Sequence, residues 1–406
     1  MREILLISVR GEDRPGVTSS LTRILAEHDA TVLDIGQAVI HEGLNLGMMV
    51  EVPATDHSSA LLKELLFCAH ELDMKIKFTP ISEQQYAHWV EQQGKERYII
   101  TILGLRLTAR HIAGVSSVLA AHGLNIDIIH RLSGRIPLEP GKKVPYACVE
   151  MSVRGTPPDG TALRQAFLLL SHEQGIDIAF QKDDLYRRNR RVIAFDMDST
   201  LIQTEVIDEL AEAAGKRAAV SAITEAAMRG ELDFQQSLRK RLSLLKGLDA
   251  GTLAGIAERL PLTDGVEHLF QTLKTLGYKT AIISGGFTYF GEFLQKKLGV
   301  DYVFANELEI VDGKLTGNVV GEIVDGPKKA ACLRAIAEQE HISLQQVIAV
   351  GDGANDLPML REAGLGIAFQ AKPLVKQSAE QSLSSVGLDG ILYLLGLRDR
   401  DTGRAM

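Results

Sequence analysis

Asp196 and Asp198 stand one residue apart in "RVIAFDMDSTLIQTEVIDELA" (191–211), directly behind an apolar run. Aspartate is a poor strand residue and costly to bury unpaired, so two of them at a strand end need a reason. Farther along, "IISGG" carries Ser284, Gly285 and Gly286, and "VGDGANDLPML" carries Asp352, Asn355 and Asp356. Brought together, these carboxylates would crowd negative charge into a small space and require a cation. An oxygen-only set without His or Cys neighbours favours a hard ion, Mg²⁺ above all. Lys329 is a candidate second positive charge, although a lysine pair with Lys328 is ordinary on a surface. Ser284 and the glycine backbone after it supply the O–H and N–H donors that a phosphate oxygen accepts from. Aspartate is also a known covalent nucleophile for phosphoryl groups. Together these residue types describe phosphoryl chemistry.

The elements that must position them follow from the hydrophobic pattern. From about 190 to 395, short apolar strands ("VIAFDM", "KTAIISG", "YVFANEL", "QVIAVGD", "LGIAF") alternate with helical stretches. That cadence predicts an α/β, Rossmann-like, mostly parallel sheet with helices on both faces. Ligands bind at the carboxyl ends of strands in such sheets, which is where Asp196, Ser284 and Asp352 fall. Amphipathic runs at about 207–260, such as "FQQSLRKRLSLLKG", read as a small helical insert or cap. Residues after about 395 read as a polar tail.

The amino-terminal half reads as two tandem ferredoxin-like (βαββαβ) α+β units, at 1–85 and 96–182. Gly16-Val17 ahead of "SSLTRILAEHDATVLDI" is echoed by Gly114-Val115 ahead of "SSVLAAHGLNIDII", in the same element order. The chain has 406 residues, is 45 % hydrophobic and carries a net charge of −8, which gives no electrostatic support for nucleic acid binding. Cys68, Cys148 and Cys332 are isolated and lack metal-ligand spacing, as expected in a reducing compartment. No run approaches the roughly 18 apolar residues of a membrane span, and no signal peptide is visible. The expectation is a soluble cytoplasmic protein with no membrane or nucleic acid partner.

"DMDSTLI", "IISGG" and "GDGANDLPML" resemble, in order, the motifs of the haloacid dehalogenase-like hydrolases. With "GELDFQQSLRKRLSLLKGL", the block at 190–395 closely resembles the phosphoserine phosphatase branch of that superfamily. The resemblance implies Mg²⁺-dependent hydrolysis of O-phospho-L-serine to L-serine and phosphate, the last step of serine biosynthesis. It implies Asp196 as the nucleophile that becomes a phosphoaspartate and Asp198 as general acid and then base. It implies Mg²⁺ held by the Asp196 carboxylate, the Asp198 backbone carbonyl and Asp352, with Asp356 and Asn355 supporting metal and phosphate. Ser284, Gly285 and Lys329 would hold the phosphoryl group; the family's lysine precedes a helical leucine by four positions, which favours Lys329, ahead of Leu333, over Lys328. Glu205 would face the substrate's amino group and Arg241 its carboxylate, with Phe234 and Met228 forming the apolar part of the cap.

The amino-terminal pair resembles ACT domains, which commonly bind amino acids. "EDRPGV" (12–17) matches their strand-to-helix turn and makes Asp13, Pro15 and Gly16 a candidate regulatory turn. In "LTARHIAGV" (107–115), Ala113 replaces the proline and the acid is missing, which implies a packing role for the second unit. L-serine as feedback inhibitor is implied by the same resemblance, and because open four-stranded sheets of this kind often pair, a homodimer through the amino-terminal half is expected. Two other readings stay open: a phosphatase or phosphotransferase for another small ester, and an amino-acid sensor with a vestigial phosphatase block. The complete motif set argues against the sensor.

Overall fold

The computed structural model describes residues 3–53, 58–135 and 146–403, without the side chains of Ser58 and Met228. It divides into two compact units, 1–95 and 96–406.

The first unit runs β1 (Glu3–Glu12), α1 (Val17–Glu27), β2 (Thr31–Ile40), β3 (Gly43–Val52), α2 (Ser58–Glu71), β4 (Lys75–Ile81) and α3 (Glu83–Gln93). Its antiparallel sheet has the order β2-β3-β1-β4. The period of two is plain along β3, where Leu44, Leu46, Met48, Val50 and Val52 are buried in alternation. They meet Leu21 and Leu25 of α1 and Leu61 and Leu65 of α2 in one core. Pro15 and a left-handed Gly16 bring the chain out of β1 and into α1. After β4, α3 is opened by a capping box between Ser82 and Gln85.

The second unit opens with β5 (Arg97–Gly104), α4 (Ala109–Ala121), β6 (Asn125–Arg131), β7 (Ala147–Arg154), α5 (Gly160–Gln174) and β8 (Asp177–Lys182), in the sheet order β6-β7-β5-β8. Here the alternation breaks: Ile99 to Gly104 of β5 are all buried. One face meets α4 and α5, while Leu103, Leu132, Cys148 and Ala179 join the same core as Phe195 and Leu392 of the following block.

That block continues with β9 (Val192–Phe195), α6 (Val206–Ala213), α7 (Arg217–Met228), α8 (Phe234–Ser243), α9 (Thr252–Arg259), α10 (Val266–Thr275), β10 (Lys279–Phe287) and α11 (Thr288–Leu298). It ends with β11 (Tyr302–Val311), β12 (Lys314–Val320), α12 (Gly326–Gln339), β13 (Val347–Gly351), α13 (Leu357–Glu362), β14 (Leu365–Phe369), α14 (Pro373–Ser378), β15 (Gln381–Leu383) and α15 (Ile391–Leu394). The sheet order is β12-β11-β10-β9-β13-β14-β15, parallel except for β12. β9 and β13 are buried at every residue, as expected for strands covered on both faces. The chain leaves β9 for β10 on one side and returns to β13 on the other, so the strand order reverses at β9. The expected fold class therefore holds, with two tandem βαββαβ units ahead of a mostly parallel sheet and its helical insert.

Three features depart from the sequence reading. β11 and β12 form an antiparallel hairpin where only a first strand was expected, and the insert is tied to it. Gly247 N donates to Leu315 O at 2.8 Å, and Leu315 N donates to Leu248 O at 2.9 Å. α10, α14, β15 and α15 had no counterpart in the reading either. The third departure is a correction: residues beyond 395 are no free tail as far as they are described. Leu397 packs on the main core, and Asp399, 4 % exposed, accepts hydrogen bonds from Tyr393 Oη and Gly134 N, both at 2.6 Å. A short polar run with one buried carboxylate reads as solvated because its partner lies over 250 residues away in sequence.

Candidate active site

The carboxyl ends of β9, β10 and β13 open into one cavity of about 920 Å³, roofed by α7 and α8 of the insert. Asp196 ends β9 at 5 % exposure, with its N–H donating to Val350 O of β13 at 2.9 Å. Its Oδ1 accepts from Met197 N at 2.7 Å and its Oδ2 pairs with Lys329 Nζ at 2.8 Å. Lys329 is fully buried and also donates to Asp356 Oδ1 at 2.6 Å. Lys328, one residue earlier on α12, faces outward to Glu322. Helical spacing explains the choice, because Lys329 and Leu333 share a face and both are buried. Burial opposes the charge on Lys329, but Asp196 and Asp356 outweigh it and raise the ammonium above its ordinary value.

Asp352 and Asp356 complete the floor, with one carboxylate oxygen each of Asp196, Asp352 and Asp356 lying within 4.8 Å of one another. Burial, then Asp196 and Asp356, pushes the Asp352 carboxyl up to about 8. Asp356 is likewise raised, by burial first and then Asp196. Three converging carboxylates around one ammonium are short of positive charge. The donors are all oxygen, so a hard divalent cation such as Mg²⁺ suits them chemically and electrostatically.

Asp198 is set apart from this cluster. Its Oδ1 accepts from Val206 N, at the start of α6, at 3.2 Å. Its Oδ2 faces the carboxyl end of β10, where a Cβ on Gly286 would come within 2.8 Å of it. Burial, with Glu205 and Asp196 nearby, holds its carboxyl well above the usual carboxylate range. Burial therefore favours its protonated form, the form a proton donor needs.

Ser284 is fully buried, and its Oγ accepts from Gly286 N at 3.0 Å. A Cβ on Gly285 would lie 2.7 Å from Phe234 Cζ, so only glycine lets the insert close this tightly. Glu205 caps α6; burial raises its carboxyl, opposed by the Ser199 hydroxyl, which donates to Glu205 Oε1 at 2.8 Å. Burial lowers the Arg241 guanidinium, opposed by Glu205 and Asp208, and it remains cationic because its ordinary value is so high. Asp196, Asp198, Glu205, Phe234, Arg241, Ser284, Gly285, Asp352 and Asn355 all line the cavity, with Lys329 and Asp356 beneath. Met228 ends α7, but its side chain lies outside the described residues. Asp13, Pro15 and Gly16 line a separate cavity of about 370 Å³ in the first unit.

Several contributors escaped sequence reasoning. Thr200, fully buried, donates to Asp352 Oδ1 at 3.3 Å; its place in the "DMDST" motif was a usable signal. Asn306 donates from Nδ2 to Gly285 O and accepts from Val324 N, each at 2.8 Å, clamping the Ser284 loop. Gln235 of α8 donates to Asp325 Oδ2 at 2.7 Å, joining the insert to the start of the lysine-bearing helix. Nothing local marks these last two.

Comparison with known proteins agrees with this architecture. Family models match an ACT domain at residues 3–79, a second ACT domain at 97–181 and a haloacid dehalogenase-like hydrolase at 190–364. The chain is 42 % identical to phosphoserine phosphatase SerB2 of Mycobacterium tuberculosis, over 97 % of this chain and 93 % of that protein. It is 41 % identical to a phosphoserine phosphatase of Streptomyces coelicolor, over 97 % and 92 %. A probable phosphoserine phosphatase from Vibrio cholerae, solved without ligand, superposes with a TM-score of 0.59 at 34 % identity, covering 78 % of this chain and 90 % of that one. A haloacid dehalogenase family hydrolase from Salmonella enterica gives a TM-score of 0.63 at 31 % identity, covering 73 % and 98 %. With two relatives matched along nearly their whole length, the chain belongs to the phosphoserine phosphatase family of haloacid dehalogenase-like hydrolases, with ACT domains at its amino terminus.

Proposed function

We propose that this chain hydrolyses O-phospho-L-serine to L-serine and phosphate through a phosphoaspartate on Asp196, as the last step of L-serine biosynthesis. The observation that carries the reading is the cavity itself, with Asp196 at its floor and Glu205 and Arg241 on its walls. An anion and a cation on either side of a nucleophile suit a zwitterionic amino acid whose side chain bears the phosphate.

In this reading an Asp196 carboxylate oxygen attacks phosphorus while the bond to the seryl oxygen breaks, and Asp198 gives that oxygen its proton. Asp198, now a carboxylate, takes a proton from water as the water attacks phosphorus, and the phosphorus–oxygen bond to Asp196 breaks. Lys329 and the Ser284–Gly286 loop stabilise charge on the phosphoryl oxygens. Asp196, Asp352 and the Asp198 backbone carbonyl would hold Mg²⁺, with Asp356 behind them, and the ion would neutralise charge on the phosphoryl group. Closure of α8 over Gly285 excludes bulk water, which strengthens every charge interaction inside.

The same reading places L-serine, as inhibitor, at the Asp13–Gly16 turn. It also includes a homodimer; the apolar residues Ile35, Val39 and Ile40 exposed on edge strand β2 are surface such pairing would cover. A cytoplasmic location fits three free cysteines, two of them buried. Among the described residues, no helix is long and apolar enough to cross a membrane.

The test is phosphate release from O-phospho-L-serine with Mg²⁺. Chelator and Asp196→Asn should each reduce it by at least about 10³-fold. Turnover of other esters without turnover of phosphoserine would overturn the substrate assignment and spare the chemistry.

A further inference from the structure

The wall of the cavity formed by α8 carries a polar group with no structural employment. Ser237 is 2 % exposed, lines the cavity, and its Oγ has no hydrogen-bond partner. A helical serine ordinarily bonds back to the carbonyl one turn earlier. Here the Asp233 carbonyl accepts only the backbone N–H of Ser237, at 3.0 Å. Leaving a buried hydroxyl unsatisfied is unfavourable, so its retention in a tightly packed helix asks for a ligand. One turn on, Arg241 shares the same helical face. Its Nε is also buried without a partner. Two unsatisfied donors, one N–H and one O–H, therefore sit on neighbouring turns of one helix, on residues that line the same cavity. Glu205 and Asp208 line the cavity too, and their carboxylates suit an ammonium and repel a carboxylate.

We propose that Ser237 is a specificity-determining residue that donates a hydrogen bond to the substrate's carboxylate alongside Arg241. The proposal rests on the phosphoserine reading above and adds to it a second carboxylate donor. A substrate lacking the carboxylate leaves both donors unpaired, which is the stronger route to discrimination than any added apolar contact.

The test compares kcat/KM of the full chain and Ser237→Ala with Mg²⁺ on O-phospho-L-serine and on two esters without a carboxylate, phosphoethanolamine and 4-nitrophenyl phosphate. Alanine suits a helix interior better than serine, so the fold should survive. The expected result is a loss of about tenfold on phosphoserine, carried mainly by KM, with less than about twofold change on the other two esters. Equal losses on all three substrates would assign Ser237 a merely structural role, and no loss on phosphoserine would remove it from the site; either overturns the proposal. Failure of the parent chain to turn over phosphoserine, with the carboxylate-free esters turned over, would overturn the substrate reading and this proposal with it, and the parent's own rates tell that case from the other two.

Discussion

The two ACT domains share an element order and a repeated Gly-Val, and they differ at the turn into the first helix. In the first, Gly16 is left-handed, a Cβ there would meet nothing within 4 Å, and α1 starts only at Val17. That open turn is the wall of a cavity. In the second, α4 starts at Ala109, more than a turn earlier relative to the matched Gly114-Val115. Ala113 lets the helix run where Pro15 stops it in the first domain. A Cβ on Gly114 would lie 2.8 Å from Gln174 and 3.0 Å from Leu170 of α5, so the space is filled by helix packing. Val17 and Val115 nonetheless both stay in their cores. The proline thus goes with a later helix start in the domain whose turn lines a cavity, and the alanine with an earlier start and helix packing at the matched glycine.

The sheets differ in the same sense. The second domain's β8 lies beside β15, and the joint is made by side chains that imitate strand pairing. Gln381 accepts from Phe180 N at 2.9 Å and donates to Phe180 O at 2.6 Å. Asp177 accepts from Ser384 N and Ser385 N, both at 2.8 Å, and Tyr146 Oη accepts from Gly387 N at 2.9 Å. The second domain is therefore a structural part of the catalytic body, whereas the first forms a compact unit of its own.

Deletions should expose this contrast most strongly. A chain starting at residue 96 should keep its kcat/KM for phosphoserine, while one starting near 185 should aggregate or melt far lower. The shorter chain would uncover the faces that met Leu103, Leu132, Cys148 and Ala179, a loss on the order of 5 kcal/mol. Thermal unfolding of both would decide, and equal stability would refute the shared core. Next in size, Ala113→Pro should cost about 3 kcal/mol by breaking α4, whereas Pro15→Ala in the first domain should cost under about 1 kcal/mol. Comparable melting shifts would contradict the difference in helix starts.

A smaller pair separates regulation from support. Gln381→Ala leaves two backbone groups of Phe180 unpaired and should cost about 2 kcal/mol. Asp13→Ala should leave melting unchanged and relieve inhibition by added L-serine; an unaltered inhibition curve would move the inhibitor elsewhere. The smallest effect is a pH dependence at the joint. Burial, against the Ser385 and Ser384 N–H groups, raises the Asp177 carboxyl to about 6 in the folded chain. A carboxyl raised on folding adds stability in acid, below its unfolded value near 4, and that stability is lost as pH rises through about 6. Unfolding measured between pH 5 and 7.5 should weaken by about 1 to 2 kcal/mol more in the parent than in Asp177→Asn. Parallel curves would show that Asp177 does not titrate there.

The sequence made the floor of the candidate active site legible because its polar residues are concentrated in short contiguous motifs at strand ends. Asp196 and Asp198, Ser284 to Gly286, and Asp352 to Asp356 each needed only one strand and the turn after it. The choice of Lys329 over Lys328 came from the resemblance, whose lysine precedes a helical leucine by four positions. Residues that work alone were illegible for the converse reason. Asn306, Gln235 and Ser237 are single polar side chains on regular elements, each with an ordinary solvent-facing reading; packing buries Asn306 and Ser237, and Gln235 stays exposed while it bonds across to Asp325. The joint made by Gln381, Asp177 and Asp399 spans up to 265 residues in sequence, so no local pattern could reveal it.

The most direct measurement is rapid acid quench of the full chain turning over phosphate-labelled O-phospho-L-serine with Mg²⁺. Label should appear on the protein, be released by hydroxylamine as an acyl phosphate, map to the peptide containing Asp196, and vanish in Asp196→Asn. Phosphate release with no labelled protein, or equal labelling in Asp196→Asn, would contradict a phosphoaspartate at this residue.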